Sequence, residues 1–194
     1  MNLRDACVDA AREVIAQEGI EHLSLRDVAR RLGVSHQAPY RHFPTREHLL
    51  AEVMRRCYAQ FAEHLQDRPS PADPHADLHA LGERYLDFAL SHPLEYRLMF
   101  STPWPQAAEQ VELIADANQA FDTLRSVMAR VHGVKSPTPA VDLDALFVWS
   151  TMHGLAGILG ANCTTHLTLS PTVHKQAVAH VMGLIGRGLS NPTC

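Results

Sequence analysis

The tightest constraint in this chain is a pair of short helical patterns, each with its own cap, held apart by a single glycine. Ser24 can offer its hydroxyl to the free N–H groups of a helix start, and Asp27 stands three residues on as a capping-box-like partner. Leu25, Val28, Ala29 and Leu32 then recur on one face. Gly33 supplies the left-handed conformation that ends a helix, and Ser35 caps the next one at once. The expected frame is helix, tight turn, helix.

On a wheel of about 100° per residue, the second pattern places His36, Gln37, Tyr40 and Arg41 on an outward arc. Ala38, Pro39, His42 and Phe43 fall on the packing side. The outward set suits DNA: Gln can bridge adenine, Arg can bridge guanine, and Tyr and His can bond phosphate oxygens. Pro39 removes a backbone donor and biases Ala38 away from helical angles. Near a helix start the cost falls below the ~3 kcal/mol of an interior proline, because first-turn donors lack partners anyway. A short or locally irregular helix is expected.

The run Leu-Ser-Leu-Arg-Asp-Val-Ala-Arg-Arg-Leu-Gly-Val-Ser from Leu23, then Tyr-Arg-His-Phe-Pro-Thr-Arg-Glu-His-Leu-Leu from Tyr40, resembles the DNA-binding domain of the tetracycline-repressor (TetR) family. The resemblance covers roughly residues 3 to 55. It implies that Tyr40 and His42 touch phosphates, and that Arg46 does so from the start of the fourth helix, where lysine is commoner. Ser24 and Ser35 join this candidate DNA-binding set. Pro39 stands where the family more usually has leucine.

Charge distribution supports a DNA-reading head. The formal net charge is −4. Residues 22–48 nevertheless hold five arginines (26, 30, 31, 41 and 46) against Asp27 and Glu47, while residues 67–194 are acidic. A basic head on an acidic body fits nucleic-acid binding. Cys7, Cys57, Cys163 and Cys194 show no pairing pattern and read as free thiols in a reducing cytoplasm. The sequon Asn162-Cys163-Thr164 has no secretory context, because the N-terminus carries no basic-then-apolar leader. A basic arm for the minor groove is not expected either.

Along the chain, residues 2–19 read as a first helix with Leu3, Cys7, Ala10, Val14 and Ile15 inward. Thr45 caps a long fourth helix with Leu49, Leu50, Val53, Met54, Cys57, Phe61 and Leu65 on its face. The proline-rich stretch at 67–75 is the best boundary. It separates a helix-turn-helix domain at 1–48, with its linking helix 46–66, from a helical domain at 76–190. Further helices are expected at about 76–91, 94–101, 105–132, 139–163 and 171–189. No strand alternation occurs, so the fold class is all-α.

Gly154, Gly157 and Gly160 recur every three residues in an otherwise apolar helix. Each weakens a helix by roughly 1 kcal/mol, which points to a backbone packed very close. The final helix offers Val173, Ala177, Val181, Leu184 and Ile185 with glycines of its own. Two such helices from each of two chains would form a four-helix homodimer interface; the alternative is intrachain core. The uncharged run from Ala145 to Thr165 approaches membrane-spanning length, but its polar content favours burial in protein. His92-Pro93-Leu94-Glu95-Tyr96-Arg97-Leu98-Met99-Phe100 and Trp149…His153-Gly154 resemble a TetR-type regulatory domain, which implies ligand sensing and dimerisation.

His75, His79 and Glu83 have zinc-compatible spacing, but they follow a proline-rich linker where exposed histidine is ordinary. No catalytic motif or cofactor fingerprint appears, and neither enzyme activity nor a cofactor or metal is expected. Tyr85, Phe88, Met99, Phe100, Trp104, Phe121, Trp149, Met152 and His153 could line a largely apolar ligand pocket. Few Lys or Arg fall on inward faces, which disfavours a strongly acidic ligand. The combined reading is a cytoplasmic, homodimeric regulator on a palindromic operator, responding to a small apolar ligand. The alternative is an all-α sensor or carrier that has lost DNA binding through Pro39.

Overall fold

The computed structural model describes residues 2–69, 71–105, 111–161 and 167–190. Its helices are α1 (Leu3–Glu18), α2 (Leu25–Leu32), α3 (Arg46–Gln66), α4 (Pro74–Ser91), α5 (Pro93–Phe100), α6 (Val111–Val131), α7 (Pro139–Gly160) and α8 (Pro171–Ser190). There is no strand among the described residues. Cys163, Cys194 and the sequon at 162–164 lie outside those residues, as do residues 106–110 of the helix expected from about 105.

Two expected helix starts move, from about 76 to Pro74 and from about 94 to Pro93, while those at Pro139 and Pro171 stand where expected. Pro74, Pro93, Pro139 and Pro171 each open a helix. A proline suits the first helical position because its missing N–H would have no partner there. Asp73 completes the start of α4 by accepting from the amides of His75 (3.1 Å) and Ala76 (3.3 Å). Thr138 accepts from Val141 at the start of α7. Gly19 (φ 98°) and Gly33 (φ 65°) end α1 and α2 in backbone conformations that favour glycine.

The chain forms two compact units, Met1–Gln60 with Leu94–Asn118, and Phe61–Pro93 with Gln119–Cys194. In the first unit, α1 packs on α2 around buried Val8, Ala11, Val14, Ile15 and Val28. Leu49, Val53 and Met54 of α3 are buried in the same unit. Glu52, 5% exposed, receives Arg4 through two bonds (3.1 and 2.9 Å), Arg55 through two (2.9 and 3.0 Å) and Arg56 through one (3.2 Å). Arg55 also reaches Asp116 (3.1 Å), and Arg12 pairs with buried Glu95. Cys7 and Cys57 are buried and unbonded, and burial pushes the Cys57 thiol up to about 12.

In the second unit, α4 packs mainly on α7 and less on α8, and α7 also meets α8. Leu81, Tyr85 and Phe88 of α4 are buried here, as are Val141, Ala145, Val148, Met152 and Ala156 of α7.

Burial alone would raise the Glu52 carboxyl, but the bonds and charges of Arg55 and Arg4 outweigh it and hold it down at about 2. A carboxyl depressed in the folded state stabilises fully above its unfolded value, near 4.5, and loses that contribution as pH falls through the folded one. Glu52→Gln should therefore cost on the order of 3 kcal/mol at neutral pH. Its melting temperature should also fall less steeply than that of the wild type between pH 4.5 and 2.5. Melts across that range provide the check.

Candidate nucleic-acid interface

Ser24 caps α2 as its sequence position suggests. Its hydroxyl accepts from the Asp27 amide (3.1 Å) and donates to Asp27 Oδ2 (2.6 Å). The Ser24 and Arg30 hydrogen bonds together hold the Asp27 carboxyl below its ordinary value. After Gly33 the chain does not enter a second α-helix. Residues 36–38 form turns, and Pro39–Arg41 is a single 3-10 turn.

The hydrogen bonds show why. The amides of Ala38, Arg41 and His42 reach back three residues, to Ser35 (3.0 Å), Ala38 (3.3 Å) and Pro39 (3.0 Å). Pro39 has no N–H to give to Ser35, so the four-residue ladder cannot start at that position. Only Phe43 makes a four-residue bond, to Pro39 (2.9 Å). Ala38 keeps helical angles (φ −62°, ψ −46°) despite preceding a proline, contrary to the sequence expectation. Pro39 is buried in a segment packed on α1 and α2, and that packing holds the conformation. Phe43 is buried too, with the Arg4 guanidinium 5.5 Å from its ring centre.

This geometry corrects the wheel at one residue. The 100° step puts His42 on the packing side, yet His42 is exposed. A 3-10 turn advances by about 120° per residue, and the discrepancy accumulates over the segment. Ser35, His36, Gln37, Tyr40, Arg41 and His42 are all exposed, while Pro39 and Phe43 face inward. Tyr40 is 43% exposed, a large aromatic left in solvent. Among the described residues the side chains of His36, Gln37, Tyr40, Arg41 and His42 make no hydrogen bond or ion pair. Arg26 at the start of α2 is likewise exposed and unpaired, and it belongs with this set although only its charge was legible in the sequence.

The other basic residues are occupied. Arg30 pairs with Asp27 (2.8 Å), and Arg31 with Glu18 and Gln17. Arg46 is half-buried and donates to the carbonyls of Leu23 (2.9 Å) and Ile20 (2.5 Å), fastening the turn before α2 to the start of α3.

The pocket candidates fall into two groups. In the first unit, Met99 is buried, Phe100 half-buried and Trp104 exposed; Tyr58 joins them, donating to the Met99 carbonyl (2.9 Å) and meeting both rings. In the second unit, the Tyr85 hydroxyl lies 3.1 Å from His153 Nδ1, Phe61 packs on Tyr85 and Phe88, and Phe121 meets Trp149. Burial lowers the His153 pKa, so the neutral ring can accept the phenol hydrogen. Met152 approaches Gly82 beside Met182. The sequence does not single out Tyr58 and Met182, and Phe61 reads there only as part of the apolar face of α3. His75 and His79 are exposed, and no metal-holding group of three His, Cys, Asp or Glu occurs among the described residues.

The pattern of bacterial regulatory proteins of the tetR family matches residues 8–53, and that of the tetracycline repressor-like C-terminal domain matches residues 78–182. The chain belongs to the TetR family. It is 28% identical over 153 residues to the HTH-type transcriptional activator FasR of Mycolicibacterium smegmatis, covering 75% of this chain and 69% of that protein. Its fold matches a Rhodococcus sp. RHA1 protein of unknown function (TM-score 0.78, 24% identity, 98% of this chain and 97% of that one). It also matches the fatty acid degradation regulator FadR of Bacillus halodurans (TM-score 0.64, 13% identity, 97% and 95%). The chain is thus a DNA-binding transcriptional regulator of the TetR type.

Arg46→Ala should cost about 1–3 kcal/mol of stability, the worth of hydrogen bonds from a charged group. Ser24→Ala should cost about 1 kcal/mol through the lost cap. Urea denaturation of the two variants reads both effects.

Proposed function

We propose that this TetR-type regulator is a ligand-responsive repressor that binds a palindromic operator as a homodimer. The observation that carries the DNA reading is the exposed, internally unpaired group Arg26, His36, Gln37, Tyr40 and Arg41 beside a proline-fixed turn. Gln37 and Arg41 are assigned to base edges; His36, Tyr40, His42 and Ser35 grip the phosphates. Ser24 and Arg46, engaged internally, act by holding the reading segment's frame. Members of the family bind operator DNA and dimerise, and two reading heads address half-sites about one DNA turn apart.

The dimer interface is assigned to α7 and α8. Leu143, Leu146, Phe147 and Ile158 of α7 are exposed, as are Val173 and Leu184 of α8. On α7 these residues form one stripe with Ser150, Gly154 and Gly157. A Cβ added at Gly154 or Gly157 would meet nothing within 4 Å. The close neighbour those glycines imply is therefore absent among the described residues, and a partner's helix fits the space. The ligand is assigned to the aromatic interior of the second unit, with Tyr85 and His153 as its polar contacts. A ligand that binds better to a low-affinity state of the dimer releases DNA by shifting the population.

Fluorescence anisotropy with DNA from the gene's own upstream region, against a random duplex at several salt concentrations, tests the reading. Preference for the upstream duplex with a steep salt slope is expected; equal, weak binding to both would count against that operator. Arg41→Ala should cost about 1–3 kcal/mol on the operator and much less on random DNA. Equal losses would place Arg41 on phosphates. A transcriptional reporter that rises when the regulator is deleted supports repression, and one that falls reverses its sense. Phe147→Glu should yield monomers in sedimentation velocity with unchanged helicity; a persistent dimer would move the interface elsewhere.

A further inference from the structure

The second unit contains an open cavity of about 360 Å³ lined by Gln66, Arg68, Asp77, Thr123, Ser126 and Arg130, apart from the aromatic residues assigned above. That volume lies at the small end of metabolite pockets. Asp77 is 1% exposed and accepts from Arg68 Nε (2.9 Å) and Arg130 Nη1 (2.5 Å). Two guanidinium groups share one carboxylate, so the lining keeps one positive charge uncancelled. Of the neighbouring carboxylates, Asp67 shares Arg84 with Asp87, Asp122 shares Arg125 with Asp142, and Asp73 caps α4 through the amides of His75 and Ala76.

Donors remain as well as charge. Arg68 spends Nη1 on the Leu65 carbonyl (2.5 Å), and Arg130 spends Nη2 on the carbonyls of Pro71 (3.0 Å) and Ala72 (3.3 Å). A guanidinium carries five N–H groups. Arg68 Nη2 and Arg130 Nε make no hydrogen bond among the described residues. The side chain of Arg68 is only 10% exposed, so a charge-assisted bond there would be little weakened by water. Thr123 and Ser126 give their hydroxyl hydrogens to carbonyls four residues back on α6, from which they can rotate toward a ligand oxygen.

We propose that this cavity binds a small metabolite through a carboxylate or phosphate group held by Arg68 and Arg130. Both anions present oxygens matched to a guanidinium fork. Asp77 orients the two arginines and the surplus charge attracts the anion. The site is separate from the apolar ligand site, and it runs against the sequence-based expectation that few inward Lys or Arg disfavour a strongly acidic ligand.

The test is isothermal titration calorimetry on the full-length protein at low ionic strength, with inorganic phosphate and succinate as probes and acetate and chloride as controls. Saturable binding of phosphate or succinate at one site per chain is expected, and the better probe identifies the anion class. Arg130→Gln, which leaves Asp77 paired with Arg68, should weaken binding at least about tenfold, a charge-assisted bond being worth that much. Ser126→Leu, which fills the cavity without touching the ion pairs, should do the same while leaving the melting temperature near that of the wild type. Absence of saturable binding by both probes overturns the proposal, as does unchanged binding in Arg130→Gln and Ser126→Leu. No DNA is present in the assay, so its failure leaves the regulator assignment standing.

Discussion

Arginine-held carboxylates tie this chain together. Glu52, Asp77 and Glu95 are buried, and each is bound by arginine from outside its own helix. A buried carboxylate without partners would lose several kcal/mol of hydration, so each one fixes where its arginines must go. Glu52 draws Arg4 of α1 onto α3, and Arg56 extends the link to Asp5. Glu95 adds a link from α5 to Arg12 of α1. Through α1 the same constraint reaches the reading segment, because Pro39 and Phe43 are buried against a frame that Arg4 helps to complete. Removing one member leaves an uncompensated charge, which is why such pairs specify arrangement more than they add stability.

The same ion pairs mark the limit of what the sequence makes legible. Helices are written locally: spacing, caps and prolines locate α1, α2, α3, α7 and α8 to within a few residues. The starts at Pro74 and Pro93 move only because a proline can be the first helical residue as easily as the last linker residue. Which arginine meets which carboxylate depends on contacts between residues tens of positions apart, such as Arg4 with Glu52 or Arg130 with Asp77. A count of charges treats them all as surface. Arg68, in a stretch that reads as a proline-rich linker, is consequently the least predictable member of these pairs, since its side chain is almost wholly buried.

The reading segment shows a different limit. The sequence identifies which residues can face DNA, and the buried pair Pro39 and Phe43 agrees with the wheel. The wheel then fails at His42, because it assumes an α-helix where one missing N–H produces a 3-10 turn. The proline that removes the hydrogen bond also supplies the buried anchor, so the local irregularity and the outward display of Gln37, Tyr40 and Arg41 share one cause. Losing a helical ladder here does not entail losing a reading surface: Ser35 and the turns that follow it still present their side chains to solvent.

Helix α7 carries the corresponding argument for the second unit. With 22 residues and a mean hydropathy of 1.2, it is long and apolar enough to cross a membrane. Its composition divides by face, however. Val141, Ala145, Val148, Met152 and Ala156 are buried within the unit, while Leu143, Leu146, Phe147 and Ile158 point outward. A helix that is apolar all round needs cover on every side. The chain covers one side, and the other is the face proposed above for the partner of the dimer. Gly154 and Gly157 belong to that outward side and have open space before them. Their helix-weakening cost makes sense once a second backbone, closer than any side chain would permit, is placed against them.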